Sequence, residues 1–288
     1  MTELTQLPTR VGVIGGGRMG GGIAHAFLMA GSTVTVIERE PVAASDARER
    51  IEASVAKSIE RGATDANLDE VVQRLAVELD YATLAECDLV VEAVFEDFGV
   101  KLDALRTAEA QLRPDAVLAS NTSSISLASL ADELDRPERF LGLHFFNPVP
   151  ASKLIEVVIA PKTAADIAAA APEWVTALQK TPVVVKDSPG FASSRLGVAI
   201  ALEAMRMVEE GVASAQDIDA AMELGYKHPA GPLKTTDIVG LDVRLGIAEY
   251  LAEHLGERFA PPQILRDMVA RGELGRKSGK GFYDWSVE

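Results

Sequence analysis

Two side chains in residues 140–158, FLGLHFFNPVPASKLIEVV, have the types needed for proton transfer near neutral pH. His144 lies near the end of an apolar run that predicts a buried strand, and Glu156 lies in the next apolar run. Pro148 and Pro150 cannot donate to a strand ladder, so the chain must bend between the runs. The bend can bring His144 and Glu156 together, and an imidazole oriented by a carboxylate can serve as a general base. A core histidine beside an ordinary surface glutamate is the alternative interpretation.

A glycine-rich segment near the start of the chain has the spacing of a dinucleotide-binding loop. It follows a predicted strand at 11–14, opens a helical run that ends at Met29, and reads G-x-G-x-x-G through Gly15, Gly16, Gly17, Arg18, Met19 and Gly20. Glycine allows the tight turn and the close approach of a pyrophosphate, and the helix N-terminus attracts its charge. The next predicted strand, 34–37, precedes Glu38. A carboxylate there accepts ribose hydroxyls and repels a 2′-phosphate, which predicts NAD, although the neighbouring Arg39 leaves NADP open.

Polar side chains follow two further apolar runs, 88–94 and 116–119, which predict parallel strands. In such sheets ligands bind at the carboxyl ends of the strands. We therefore expect a binding role for the loops that carry Glu96 and Lys101 after the first strand and Asn121, Thr122, Ser123 and Ser124 after the second. Ordinary turn and cap chemistry is the alternative for the hydroxyl cluster.

The predicted charged helix at 43–63 has one basic face. Ser54, Lys57 and Arg61 recur at i, i+3 and i+7, so their side chains share that face. A solvated surface is the simpler interpretation. In an otherwise acidic protein, however, the two cations can also hold a phosphorylated ligand.

The order of predicted elements divides the chain into two domains. A helix at 164–180 and a last strand at 182–185 complete an alternating pattern, which Asp187, Ser188, Pro189 and Gly190 then interrupt. The segments 191–210, 215–224, 243–255 and 261–271 read as helices. We predict an α/β Rossmann-type N-terminal domain with a largely parallel sheet at 1–187, followed by an all-α C-terminal domain at 188–288.

Composition narrows the possible partners and location. The 288 residues are 48% hydrophobic and 25% charged, with a net charge of −15, which argues against nucleic acid or an anionic membrane as partner. No apolar run reaches the roughly eighteen residues of a membrane span, and the first residues do not predict a secretory signal. The single cysteine, Cys87, fits a reducing compartment, so we expect a cytoplasmic protein. No residue spacing predicts a metal site.

Several motifs in a fixed order resemble the 3-hydroxyacyl-CoA dehydrogenase family. They are the glycine loop, NTSS at 121–124, HFFNPVP at 144–150, DSPGF at 187–191 and the closing GRKSGKGFYDW at 275–285. The resemblance covers nearly the whole chain and is strongest to short bacterial members. It implies NAD as cofactor and reversible oxidation of an (S)-3-hydroxyacyl-CoA, such as 3-hydroxybutyryl-CoA, to the 3-oxoacyl-CoA.

The resemblance also implies roles for individual residues. His144 matches the catalytic histidine, Glu156 its carboxylate partner, and Ser123 the serine that contacts substrate and the nicotinamide side. Besides the glycine loop, the implied cofactor contacts are Glu38, Glu96, Lys101 and Asn147. The basic face of the helix at 43–63 matches positions that approach coenzyme A, chiefly Ser54 and Arg61, with Lys57 beside them. The helical domain resembles the family's dimerisation domain, which implies a homodimer.

One position departs from the family pattern. Ser194 stands where the family has an asparagine that helps to place the substrate carbonyl and the histidine. A hydroxyl lacks the amide's set of donors and acceptor, so either a water or a neighbour such as Ser193 substitutes for the amide, or the preferred substrate differs. Two other functions stay open: a dehydrogenase of a free sugar acid, as in the related gulonate dehydrogenases, and a non-enzymatic protein, as in lambda-crystallin. Intact His144, Glu156 and Ser123 argue against the second.

Overall fold

A computed structural model describes residues 6–286 of the chain. Residues 1–5, part of the segment for which the sequence predicts no secretory signal, lie outside this range. One compact unit ends at Ser188 and a second begins at Pro189. Within the described residues, no helix is both long and apolar enough to cross a membrane.

The first unit contains a largely parallel sheet, as predicted. Within residues 6–188 it has eight strands: β1 (Arg10–Ile14), β2 (Thr33–Ile37), β3 (Leu75–Glu78), β4 (Leu89–Glu92), β5 (Val117–Ser120), β6 (Phe140–Phe145), β7 (Leu154–Ile159) and β8 (Thr181–Lys186). Their order is β3-β2-β1-β4-β5-β6-β7-β8, and β6–β7 is the one antiparallel pair in this sheet. The carboxyl ends of β1, β2, β4, β5 and β6 therefore lie at the same edge of the sheet.

Helices connect the parallel strands of this unit. They are α1 (Arg18–Met29), α2 (Pro41–Glu60), α3 (Leu68–Val72), α4 (Phe98–Gln111), α5 (Leu127–Ala131) and α6 (Ala165–Ala177). The main apolar core forms where the inner strands meet these helices, and it includes Phe27, Val36, Ile51, Val91 and Phe145. No element was predicted for β3, α3, α4 or α5, which are short or mix charged and apolar residues without a clear period.

The second unit is helical, as predicted. Its helices are α7 (Ser193–Glu209), α8 (Ala215–Ala220), α9 (Pro232–Val239), α10 (Leu241–Leu255) and α11 (Gln263–Ala270). The predicted helix at 215–224 changes after Ala220 into a single π-helical turn, Ala221–Gly225. Helix α9 was not predicted; it begins at Pro232, which occupies the first helical position, where proline is best tolerated.

A buried carboxylate fastens the closing GRKSGKGFYDW segment to the helices of this unit. Asp237 of α9 is fully buried, and its Oδ1 accepts a hydrogen bond from the Phe282 amide at 2.9 Å. Its Oδ2 accepts bonds from the Tyr283 amide at 2.9 Å and from Trp285 Nε1 at 2.8 Å. A side chain at Gly281 would overlap the Asp237 carboxylate, which accounts for the glycine.

We expect Asp237→Ala to lower the free energy of unfolding of the helical unit by at least about 3 kcal/mol, because three donors lose their acceptor. Denaturant titration followed by tryptophan fluorescence would measure the change. Asp284→Ala is the matched control, since the carboxylate of Asp284 is exposed and bonds to the nearby Ser286. Equal stability of the two variants would contradict this account of the segment.

Candidate active site

The glycine loop between β1 and α1 uses its glycines for two different reasons. Gly15 has φ +90°, a conformation that favours glycine. A Cβ on Gly20 would overlap the carbonyl oxygen of Gly15, so the loop and the helix could not pack as they do. Gly17, in contrast, has an ordinary φ of −61°, and a Cβ built there would meet no atom of the chain within 4 Å. The missing side chain at Gly17 therefore leaves room for a group that is not part of the protein.

The loop opens into a cleft of about 860 Å³ at the carboxyl edge of the sheet. The cleft brings together most of the predicted cofactor residues of this region, namely Gly15, Gly17, Arg18, Met19 and Glu38. Gly20 is buried and acts through packing. Leu79, Tyr81, Phe95 and Val100 supply apolar walls. A cleft with a glycine and helix N-terminus at one end and apolar walls around it suits a dinucleotide.

Glu38 lies immediately after β2, where the sequence places it. Its Oε1 accepts a hydrogen bond from the Gly16 amide at 2.7 Å, and its Oε2 accepts one from the Arg39 amide at 3.2 Å. The Glu38 carboxylate thus links the loop after β1 to the end of β2 by a hydrogen bond. Arg50 of α2 donates to the Gly16 carbonyl at 2.7 Å and holds the loop from the other side.

Glu96 gathers the polar groups of the NTSS segment. Its Oε1 accepts bonds from Thr122 Oγ1 at 2.6 Å and from the Ser123 and Ser124 amides at 2.8 and 3.1 Å. The Ser123 and Ser124 hydroxyls also lie within 3.2 Å of it. Burial by itself would raise the pKa of Glu96, but the Lys101 charge and these hydrogen bonds bring the pKa below its usual value. Glu96 is therefore an anionic centre that fixes the position of Ser123.

The sequence predicted that Lys101 lies on a loop, but the structure places it in the first turn of α4. Its side chain is 1% exposed, and its Nζ donates to Glu92 Oε1 at 2.7 Å and lies 3.2 Å from Glu96 Oε2. Asp97, whose carboxylate accepts from the Val100 amide, caps α4 and begins the helix before Lys101. In this structure the ammonium of Lys101 holds two carboxylates.

His144 and Glu156 form the pair that the sequence analysis considered. They lie directly opposite each other in the antiparallel β6–β7 ladder, and His144 Nδ1 is 2.8 Å from Glu156 Oε2. Glu156 is fully buried and His144 is 7% exposed, so the alternative of a surface glutamate is wrong. Because an ionised carboxylate only accepts, Nδ1 carries the hydrogen of this bond and the neutral imidazole has its lone pair on Nε2.

Two contacts fix this pair relative to its surroundings. Asn121 Oδ1 accepts a bond from the Phe145 amide at 2.8 Å, which joins the NTSS segment to the strand end that carries His144. The turn after β6 is held by Lys180 Nζ, which donates to the carbonyls of Val149 and Ser152 at 2.7 and 2.5 Å. Asn121 and Lys180 were not predicted as positioning groups; the position of Asn121 at a strand end was the available signal.

The remaining predicted residues lie in several places. Asn147 is exposed in the turn between β6 and β7. Ser54 and Lys57 lie on α2, and Arg61 follows directly after the helix end; Ser54 is half-buried and the two cations are exposed. Ser194 lies in the first turn of α7, in the second unit. Across residues 6–286, no cluster of three His, Cys, Asp or Glu side chains could hold a metal ion.

The fold and the cleft define a dinucleotide-binding protein of the Rossmann class. Residues 10–188 match the model of the 3-hydroxyacyl-CoA dehydrogenase NAD binding domain, and residues 190–285 match that of the C-terminal domain of the same enzymes. The chain belongs to the 3-hydroxyacyl-CoA dehydrogenase family. It is thus an NAD-dependent oxidoreductase, which confirms the resemblance, the fold class and the cofactor inferred from the sequence.

Relatives align with the chain over nearly its whole length. A 3-hydroxybutyryl-CoA dehydrogenase of Mycobacterium tuberculosis is 42% identical over 280 residues, which is 96% of this chain and 98% of that protein. A human mitochondrial hydroxyacyl-coenzyme A dehydrogenase is 37% identical and covers 96% and 90%. The crystal structure of an (S)-3-hydroxybutyryl-CoA dehydrogenase from Ralstonia eutropha superposes with a TM-score of 0.93 at 35% identity, over 96% of this chain and 99% of that one.

We expect Gly17→Ala to weaken NADH binding at least about tenfold, equivalent to about 1.4 kcal/mol, because the added methyl group enters the cleft in which we expect the cofactor to bind. The apoprotein should lose only about 1 kcal/mol of stability, the cost of replacing glycine at a helix N-cap. Fluorescence titration with NADH and denaturant unfolding would separate the two effects. Gly20→Ala is the control, since it should unfold the loop itself. Unchanged NADH affinity in Gly17→Ala would refute the assignment.

Proposed function

We propose that this protein oxidises the 3-hydroxyl group of a short (S)-3-hydroxyacyl-CoA, such as 3-hydroxybutyryl-CoA, to the 3-oxoacyl-CoA, and catalyses the reverse reduction. The observation that carries the proposal is the buried His144–Glu156 pair at the sheet edge that also holds the glycine loop. The names of the M. tuberculosis and R. eutropha relatives support the choice of substrate.

His144 is the proposed proton acceptor. Its Nε2 takes the proton of the substrate hydroxyl, and the charge that develops on the imidazole is stabilised by Glu156 at 2.8 Å from Nδ1. Glu156 also fixes the tautomer, because its oxygen accepts the Nδ1 hydrogen. In the reverse direction the protonated His144 returns the proton, and Glu156 again holds the ring in place.

Ser123 is proposed to orient the substrate hydroxyl. Its own amide and hydroxyl are held by Glu96 Oε1 at 2.8 and 3.2 Å, so it projects from a fixed backbone. The NTSS segment is joined to the end of β6 through Asn121, which keeps Ser123 near the strand end that carries His144. We propose that Glu38, Glu96 and Asn147 join the glycine loop in holding NAD. Lys101, predicted as a direct contact, acts through Glu96 in this proposal, because its side chain is 1% exposed and its Nζ lies 3.2 Å from Glu96 Oε2. When bound, the oxidised nicotinamide supplies the acceptor for a hydride.

The rest of the chain is assigned a binding role in this proposal. Exposed Lys57 and Arg61, with Ser54 beside them, provide charges suited to the phosphates of coenzyme A. The unit ending near residue 187 is the proposed NAD-binding domain, and residues 188–288 form the substrate and dimerisation domain, in which Ser194 takes the place of the family's asparagine. We also propose a homodimer that works in the cytoplasm.

We expect His144→Ala to reduce kcat at least ~10²-fold, the usual scale for loss of a general base, while NADH affinity stays near that of the wild type. NADH formation with (S)-3-hydroxybutyryl-CoA would be followed by absorbance. His254→Ala is the matched control, since His254 is exposed on α10 and bonds to the Tyr250 carbonyl. Glu156→Gln should also lower kcat, because the imidazolium that forms on His144 loses its counter-charge. Wild-type rates in both site variants would sink the assignment.

A double charge reversal on α2 separates an acyl-CoA substrate from a free hydroxy acid. Lys57→Glu with Arg61→Glu should raise KM for the acyl-CoA roughly tenfold, as expected for reversing two exposed charges near phosphates. Turnover of any free hydroxy acid should be unaffected, because it has no phosphate to contact. If KM for 3-hydroxybutyryl-CoA does not change, the coenzyme is bound elsewhere and the assignment of this face is wrong.

A further inference from the structure

Glu92 is a buried carboxylate that no part of the proposed mechanism uses. It is the last residue of β4 and is 0% exposed. Its Oε1 accepts from Lys101 Nζ and from the Val94 amide, both at 2.7 Å, and its Oε2 accepts from Ser120 Oγ at 2.6 Å. Removal of an ion from water is costly unless a charge and hydrogen bonds replace the water. Glu92 meets both conditions, so its position and that of Lys101 depend on each other.

One path leads from Glu92 to the NTSS segment through the sheet. Ser120 is the last residue of β5 and pairs in register with Glu92 on the neighbouring strand. Its hydroxyl donates to Glu92 and accepts a bond from the Thr122 amide at 3.2 Å. Glu92 therefore orients the Ser120 hydroxyl, which accepts the hydrogen bond from the Thr122 amide.

A second path leads to the same segment through charge. Lys101 Nζ lies between Glu92 Oε1 at 2.7 Å and Glu96 Oε2 at 3.2 Å. A lysine side chain has many rotamers, and the buried partner removes that freedom. Glu96 is then fixed through one oxygen by Lys101, while the other oxygen accepts from Ser123 and Ser124. The first path ends at the Thr122 amide and the second at Ser123 beside it, so both paths reach the NTSS segment.

We propose that Glu92 is a positioning residue for the Ser123 loop, acting through Lys101 and Glu96 and through Ser120. The effect on catalysis rests on the proposed function, in which Ser123 orients the substrate hydroxyl. The effect on the loop does not. Glu92 touches neither reacting atoms nor cofactor in this role, and its carboxylate sets where Ser123 lies.

Glu92→Gln tests the proposal because glutamine keeps the shape of the side chain and removes its charge. In hydrogen exchange of the apoprotein, the amides of residues 122–124 should exchange at least about tenfold faster than in the wild type, while those of β1 and β2 stay protected. In steady-state assays kcat should fall about 10- to 100-fold, the scale of a misplaced contact.

Glu109→Gln is the matched control. Glu109 lies on α4 and, like Glu92, is a buried carboxylate. It accepts hydrogen bonds from the amides of Asp135 and Arg136 at 2.9 and 2.8 Å, away from the Ser123 loop. It should leave the exchange of residues 122–124 and kcat unchanged. If both variants speed exchange and slow turnover equally, general loosening of the unit explains the result and the proposal is wrong.

The two readouts separate this inference from the proposed function. Faster loop exchange in Glu92→Gln supports the positioning role even if the wild type fails to oxidise an acyl-CoA, an outcome that would sink only the proposed function. Wild-type exchange and wild-type kcat in Glu92→Gln would overturn the inference in an active enzyme. Should Glu92→Gln not fold, Glu92→Gln with Lys101→Met leaves no lone buried charge, and normal loop protection in that double variant would likewise overturn it.

Discussion

A carboxylate that is shut off from water must find hydrogen-bond donors or a positive charge inside the protein, and three such groups organise this chain. Glu156 meets His144 across an antiparallel ladder, Glu92 meets Lys101 and Ser120, and Asp237 meets the amides and indole of the closing segment. Each carboxylate is 0% exposed. Because each one fixes its partners, the same requirement shapes the His144–Glu156 pair, the NTSS segment and the end of the helical unit.

The parts of the site that follow a local rule were predictable from sequence. A G-x-G-x-x-G segment between strand and helix requires backbone freedom and close packing, and the structure shows both at Gly15 and Gly20. The prolines after His144 predict a bend, and the antiparallel β6–β7 pair confirms it. Such inferences succeed because a residue type and a short spacing already contain the constraint.

What the sequence could not supply was register and helix onset. The opposition of His144 and Glu156 depends on how eight residues of turn are folded, and no period in the sequence encodes that. Lys101 was placed on a loop because Asp97 was not recognised as a helix cap. Glu92 was treated as part of the apolar run 88–94. A charged residue inside a buried parallel strand is almost always paired with another charge, so its position was itself a signal. The roles of Ser123 and Ser194 remain predictions.

The turn between β6 and β7 is secured from outside its own hairpin. Lys180 binds two of its carbonyls, and the absence of a side chain at Gly22 on α1 admits Val149 against the helix. A hairpin tip is commonly the place where a chain accepts inserted peptides or new termini. Here it is not: circular permutation or a tag inserted at this tip would disturb α1 and the approach to β8 together. Exposed turns such as the one after α7 are better placed to accept a change in chain length.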